Sequence, residues 1–485
     1  MKIRLSTYVM LSLLLLGGLS TCRKTPGSEA PLVYQADPVL ITVRELESSF
    51  LLHPHFSPQL KGRQALQAHL DGLVRYKYLA LQAGQQKLDR DDRLQARLQW
   101  QKKKAMREQL FLNAIADRIQ ISETEMRQAF RLRQKYIKAR HLFLPTLEQA
   151  LAWRQRLQQG TDFEQAAREV YAGVDDDMAA QGGQLPEFTW GYMDPAFESA
   201  AFQVQPGELS YPVASRWGYH LIRVDSVTVQ PFVTEVDFNQ DRKNIERVLR
   251  ARREDSLATL YVADVMKGIN VRVKAAAFTY IVNQARQARN EQAGFPRPSS
   301  ISDQEWSAIA ASLQERGQEP FVVFADAQWT IADFIKRFQA IPPLYRPHVY
   351  NPSRFEKELR DMIRDEFLDR QAEKQNLAKH PYVQEKYQQA REQLLYAAMV
   401  QHLSESITVS AAEEEQYARS HGLDCQSEEQ RQIIRRRLHA VKRDSVITAA
   451  VSPWLKATTA TVDPSLFDNV LENLGGAKEI GRAHV

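Results

Sequence analysis

Histidines, cysteines and glycine-flanked loops are where a 485-residue chain could hold chemistry, and most of those found here exclude it. His53 and His55 lie together on a strand-like pattern with no further ligand nearby, and no HExxH or CxxC spacing completes a metal site. No Walker-type glycine loop offers a phosphate cradle. One stretch remains, Gly182 to Val224, GGQLPEFTWGYMDPAFESAAFQVQPGELSYPVASRWGYHLIRV. Gly182 and Gly183 permit a tight or left-handed turn. Asp194 can cap a short helix with Pro195 at its first position and Phe197 and Phe202 facing inward. Gln205, Pro206 and Gly207 end that helix. WGYHLIRV alternates and is rich in β-formers, which predicts a strand carrying His220. Singly, a histidine on such a strand is a satisfied core or surface residue, and Met193 and Phe197 at helical spacing are core. Only the combination, in fixed order, supports a chemical argument.

The elements that must position these residues lie upstream. ARHLFL, Ala139 to Leu144, precedes an amphipathic helix and then TDFEQAAREV. With GG-x-L, M-x-x-x-F-E-x-A-x-F and P-G-E-x-S-x-P-V-x-S-x-x-G-Y-H-L-I following, the stretch from Lys138 to Asp225 resembles the parvulin-type peptidyl-prolyl cis/trans isomerases along a whole domain. The resemblance implies roles. His141 and His220 take the positions of paired histidines that share a hydrogen bond in the core of the site. Asp175 falls where an acid or a cysteine faces the substrate amide, and Ser215 where a hydroxyl joins the network. Leu185, Met193 and Phe197 take the proline-pocket positions. Gln184 and Pro186 replace an acidic residue and a glycine, and Trp217 stands where a small residue is common; these departures bear on specificity and rate. LPTLEQA lacks an arginine pair, so the implied substrate is an unphosphorylated X-Pro segment.

The chemistry implied is modest in its needs. Amide resonance sets a barrier of ~18–20 kcal/mol to peptide rotation. X-Pro bonds cross it over roughly tens to hundreds of seconds. A catalyst has to grip the proline ring and favour the twisted amide; it needs no nucleophile, metal or redox cofactor.

Composition bounds the rest. Hydrophobic residues make up 44% and charged residues 25%, a globular balance. The net charge of +5 is spread along helices among acids, which predicts solvated faces and no nucleic-acid footprint. Lys2 and Arg4 precede an apolar run, Tyr8 to Leu19, too short to span a bilayer and suited to a secretory signal. It ends at LeuSerThrCys, so Cys22 reads as a lipidated mature N-terminus of bacterial type, with an ordinary cleaved signal as the other reading. A lipid would hold the chain at a membrane facing the periplasm or cell exterior. Cys425 is the second of two cysteines and reads as a passive thiol with no disulfide. Glu479 to Val485 (EIGRAHV) resemble translated adaptor sequence, which predicts that the natural C-terminus is missing.

A repeat organises the long helical parts. Thr42 and Phe50 recur as Thr330 and Phe338; Leu70, Leu79, Ala83 and Leu88 as Leu359, Leu368, Ala372 and Leu377; Ile119 and Ser122 as Ile407 and Ser410. The offset stays at 288 or 289 residues, which marks a duplication. A second echo links Asp255, Ser256 and Phe278 to Asp444, Ser445 and Phe467. The expected class is α+β: a mostly helical, duplicated chaperone body with one inserted parvulin domain, a small antiparallel sheet with surrounding helices. The layout resembles the SurA- and PrsA-type exported foldases. It predicts a signal over 1–22, a linker over 23–36, a first body over 37–137 and 228–290, and the parvulin domain over 138–227. A connector over 291–320, a second body over 321–416 and 417–470, and a tail over 471–485 complete it. Within each copy, front and back should pack together, with INVRV (Ile269 to Val273) as a candidate partner for VLITV (Val39 to Val43). Two functions follow. One is an isomerase assisting exported polypeptides at X-Pro bonds; the other is a holdase or envelope-assembly lipoprotein whose parvulin domain is silent. Neither requires a cofactor.

Overall fold

The computed structural model describes residues 31–52, 59–215, 217–291, 300–324, 327–424 and 427–475. Cys22, His53, His55, Cys425 and Glu479 to Val485 lie outside the described residues.

Leu32–Ala36 (β1) and Val39–Thr42 (β2) pair antiparallel and run straight into the helix Val43–Leu52 (α1). The linker expected over 23–36 is therefore too long: Val33, Tyr34 and Ala36 are buried, and that apolar alternation makes residues 32–36 a strand. Helices Gly62–Gln85 (α2), Asp92–Ala114 (α3) and Glu123–Arg133 (α4) follow. Ser122 and Glu125 form the capping box at α4, so two donors of the first turn are satisfied there.

A ten-residue strand, Lys135–Leu144 (β3), then leaves the helical body. Helices Leu147–Gln158 (α5), Phe163–Tyr171 (α6), Asp176–Ala180 (α7) and Pro195–Ala201 (α8) precede strands Val213–Ser215 (β4) and Gly218–Val229 (β5). The sheet order is β3-β5-β4, antiparallel throughout. Alternation gives it two faces. Leu142, Leu144 and Leu221 pack under α5 and α6. Ile137, Ala139, Ile222 and Val224 face Phe188 and Phe197 on the other side.

The chain returns to the body in Glu235–Val265 (α9), whose Phe238 and Ile245 pack on Met126 and Ala129 of α4. It continues through Arg272–Val273 (β6), Ala275–Glu291 (α10), Asp303–Leu313 (α11), Pro320–Val323 (β7), Gln328–Thr330 (β8), Ile331–Ala340 (α12) and Pro352–Lys374 (α13). Pro381–Ser404 (α14), Ala411–His421 (α15), Glu428–Ala457 (α16), Thr461–Val462 (β9) and Pro464–Asn473 (α17) complete the described chain. No helix among the described residues is long and apolar enough to cross a membrane.

The duplication is visible in the backbone. Lys87 and Asn376, 289 residues apart, are the non-glycine residues with positive φ among the described residues, each just beyond a long helix. The capping box at α15 uses Ser410 and Glu413, as α4 uses Ser122 and Glu125. Lys442 of α16 pairs with Glu413 where Arg253 of α9 pairs with Glu125.

The copies nevertheless exchange partners. β6 pairs with β7, through Arg272 with Val323 and Val273 with Val322, whereas β1 takes β9 of the second copy, through Tyr34 with Val462. The expected pairing of INVRV with VLITV is therefore wrong, and so is a body made from each copy's own front and back. The core under the first front part contains Phe467 and Val470. The core under the second contains Val271, Val273, Ala277 and Ile281. The long helices cross over likewise: Leu79 and Ala83 of α2 pack on Leu395 and Met399 of α14, and Ala372 of α13 on Met106 and Leu110 of α3. The expected connector over 291–320 also contributes to a core, because Trp306 of α11 is 2% exposed and stacks on Phe338 at 3.8 Å.

Candidate functional site

The site lies on the face of the β3-β5-β4 sheet that α8 covers. Register brings the histidines there. His141 pairs opposite Ile222 and His220 opposite Phe143, so the two imidazoles are diagonal neighbours on one face. The free edge of β3 is filled by residues 184–188: the Leu185 amide donates to the Ala139 carbonyl at 2.9 Å, and Ile137 exchanges hydrogen bonds with Phe188. Close approach at the turn into this edge requires glycine. Gly183 has φ +76°, and a Cβ there would come within 2.5 Å of the His141 carbonyl oxygen.

The polar groups form a chain. His141 Nδ1 and His220 Nδ1 are 3.3 Å apart, and the rings stack at 5.6 Å. His220 Nε2 is 2.8 Å from Ser215 Oγ. Ser215 Oγ also accepts from the Trp217 amide at 3.1 Å and donates to the Gly218 carbonyl at 3.4 Å. At the other end His141 Nε2 is 3.4 Å from the Tyr171 hydroxyl, which donates to the His141 carbonyl and accepts from the Phe143 amide at 3.0 Å. Two proton arrangements satisfy this chain, and each uses one hydroxyl differently. With His141 Nδ1–H donating to His220, Ser215 keeps its bond to the Gly218 carbonyl and the Tyr171 proton turns to His141 Nε2. With the direction reversed, Tyr171 keeps its bond to the His141 carbonyl and the Ser215 proton turns to His220 Nε2. Both need neutral rings. Burial, with the charge of His220 adding to it, pushes His141 down to about 4. Burial also lowers His220, against the opposing field of Asp194. Burial and the nearby Asp175 carboxylate hold the Tyr171 hydroxyl up at about 12, so it stays protonated.

Beside the polar chain stands an apolar wall. Phe197 is buried and meets both imidazoles edge-on, at 5.7 Å from His141 and 5.3 Å from His220. Leu185 and Met193, both half-buried, pack against the same cluster. Asp194 caps α8 through the Ala196 and Phe197 amides, as its position before Pro195 predicts. Phe202 is half-buried between this cluster and the body.

His141, His220, Ser215, Leu185, Met193 and Phe197 thus come together. Asp175 does not join them by hydrogen bond. It is exposed, caps α7 by accepting from the Met178 amide at 3.0 Å, and reaches the histidines only through its field on Tyr171. Tyr171 went unrecognised from the sequence. Its spacing from Phe163 and Ala167 along α6 was the available signal, since that stripe faces the sheet. Glu198, which follows Phe197 in the motif, is 2% exposed.

The histidine pair makes the site acid-sensitive. Unfolded histidine titrates near 6.5, whereas folded His141 titrates near 4, so the unfolded chain binds more protons between those values. Stability at this site is full above about pH 6.5 and is lost as pH falls toward 4, by about 3 kcal/mol for His141. Amide exchange of Gly218 to Val224, corrected for intrinsic rate, should show protection falling roughly a hundredfold over that window. A variant with glutamine at both histidine positions should lose this dependence; an unchanged profile in it would rule out the pair as the origin.

A cleft of about 560 Å³ lies on the far side of the 187–192 loop, between β3 and α9, with Tyr136, Tyr192, Glu187 and Arg133 among its lining residues. It is distinct from the histidine face.

Comparison with known proteins bears on this arrangement. Residues 145–226 match the family described as Rotamase, the PPIC-type PPIase domain. The chain is 32% identical over 142 residues to the foldase protein PrsA of Oceanobacillus iheyensis, covering 29% of this chain and 46% of that protein. It is 33% identical over 142 residues to PrsA of Caldanaerobacter subterraneus, covering 28% and 45%. The chain thus spans a little under half the length of these curated relatives. The solution structure of NmPin, the parvulin of Nitrosopumilus maritimus, is 37% identical and covers 19% of this chain and 97% of its own, with a TM-score of 0.18. Residues 145–226 are a PPIC-type parvulin domain.

Proposed function

We propose that this chain is a peptidyl-prolyl cis/trans isomerase and folding chaperone for exported polypeptides, tethered to a membrane through lipid on Cys22. The observation that carries the enzymatic part is the neutral Tyr171–His141–His220–Ser215 chain beside the apolar patch of Leu185, Met193 and Phe197. A proline ring bound on Phe197 and Met193 would be fixed while the preceding amide lies over the polar chain. The apolar wall strips water from that amide. Planar amide is the more charge-separated form, so desolvation raises it relative to the twisted form, and each ~1.36 kcal/mol gained at the transition state is about tenfold in rate. Neither histidine ionises near neutrality in this scheme; the pair holds β3 and β5 in register beneath the substrate. The names of the PrsA relatives support folding assistance, and the N-terminal sequence supports the anchor. The substrate class is unfolded or partly folded polypeptide containing X-Pro.

A second reading keeps the same fold as a grip without turnover. It is favoured by Trp217, Tyr192 and Tyr211, which are all more than half exposed within the domain, and by the large exchanged body. Catalysis on an X-Pro peptide, run with an aggregation assay on the same samples, decides between them. Wild type should accelerate isomerisation and suppress aggregation, while His220→Ala should lose roughly tenfold or more of the first and keep the second. A folded wild type that suppresses aggregation without catalysis would leave only the holdase.

A further inference from the structure

Five consecutive residues join the parvulin domain to the helical body. Thr189 Oγ1 donates to the Arg133 carbonyl at 2.8 Å. Trp190 is buried among Met126, Ala129, Phe238 and Ile245 of α4 and α9. Gly191, at φ +98°, runs so close to α9 that a Cβ would meet Val248 at 3.4 Å. Tyr192 lines the cleft, and Met193 turns into the proline-pocket cluster. One carboxylate sets the height of this segment. Glu198 Oε2 accepts from the Gly191 amide at 2.7 Å and from the Met193 amide at 3.4 Å. Its Oε1 accepts from Arg252 Nη2 at 2.8 Å, and the Arg252 guanidinium lies 4.7 Å from the Trp190 ring centre.

We propose that Arg252, on α9 of the body, is a positioning residue for the proline pocket, fixing the Met193 loop through Glu198 and Trp190. The proposal rests on the isomerase reading above. A carboxylate as buried as Glu198 needs its charge partner, and the partner here belongs to the body and not to the parvulin domain. The loop amides bind that carboxylate, so its place depends on where α9 holds Arg252. Planar guanidinium serves the carboxylate and the indole face together through a fixed fork, which a point-charge ammonium does less well. Pocket geometry is thereby tied to the conformation of the chaperone body.

The test uses the full chain labelled at methionine methyl groups, with Met193→Leu to assign the Met193 signal. In Arg252→Ala, kcat/KM on an X-Pro peptide should fall about tenfold, carried by KM, because a displaced pocket wall weakens substrate and transition state alike. The Met193 methyl resonance should move, and Arg252→Lys should restore part of both. A folded Arg252→Ala protein with KM within twofold of wild type and an unmoved Met193 signal overturns the proposal. Should Arg252→Ala fail to fold, Glu198→Gln with Arg252→Met leaves no buried charge and is judged by the same two readouts. If wild type itself does not isomerise the peptide, the function proposed above falls, and the Met193 signal alone decides whether Arg252 positions the loop.

Discussion

Replacing Phe467 by alanine should strip hydrogen-exchange protection from residues 32–52, more than 400 positions away in sequence, while residues 320–340 keep theirs. Phe467 is 1% exposed and lies in one core with Val33, Ile41, Leu46 and Phe50. Removing a buried phenylalanine costs about 3–5 kcal/mol, from lost transfer and the cavity left behind. A short sheet and helix pair has little other burial to offset that loss, so the N-terminal unit should open first. Phe278, its counterpart in the first copy, stacks on Phe355 at 5.1 Å and belongs to the other core. Phe278→Ala should therefore act on residues 320–340. If each copy packed on itself, the two variants would trade effects, and that outcome would overturn the exchanged arrangement.

The physical reason for the exchange lies in the long helices. Arg107 of α3 pairs with Asp365 at 3.4 Å and Asp369 at 2.5 Å on α13. At the duplicated positions Tyr396 of α14 packs on Tyr76 of α2, with ring centres 4.8 Å apart. Pairing within a copy would set Arg107 against Tyr76 and Asp365 against Tyr396. Asp369, whose side chain is 8% exposed, would then be buried without its cation. Leaving one such charge unpaired costs roughly 3–5 kcal/mol. Exchange instead puts charge with charge and ring with ring.

This also explains what could be read in advance. Helical spacing is local and the repeat can be matched position by position along the chain, and the offset is visible in the backbone at Lys87 and Asn376. Partner choice is not local: the tails INVRV and its echo near Val462 fit either front part equally well by pattern. Pairs such as Arg107 with Asp365, Tyr76 with Tyr396 and Lys77 with Glu392 separate the options, and they cannot be weighed before the helix faces are known. The same division holds at the site. His141, His220, Leu185, Met193 and Phe197 were legible because they sit in fixed order around the glycine pair and the α8 cap. Asp175 caps α7 by accepting from the Met178 amide, a local task that the run of three aspartates does not by itself assign to one of them. Arg252 was hidden because its partner is 54 residues away in a different domain.

Met193→Ala should lower kcat/KM on an X-Pro peptide by about 10- to 100-fold, with KM rising and the fold intact. Met193 is half-buried and packs beside Leu185 and Phe197, so its side chain has surface to give to a proline ring. Contact with a methionine side chain is worth roughly 1.5–3 kcal/mol when it becomes fully buried, and that range converts to the stated loss. Stability should change little, because much of that burial occurs only when substrate is bound. Met193→Leu keeps the volume and should retain most of the activity. Phe197→Ala is the poorer probe, since its ring edges hold both imidazoles and its loss would disturb the histidine pair as well as the pocket. Unchanged kinetics in a folded Met193→Ala protein would mean that proline binds elsewhere, and the wall formed by Leu185, Met193 and Phe197 would then be core alone.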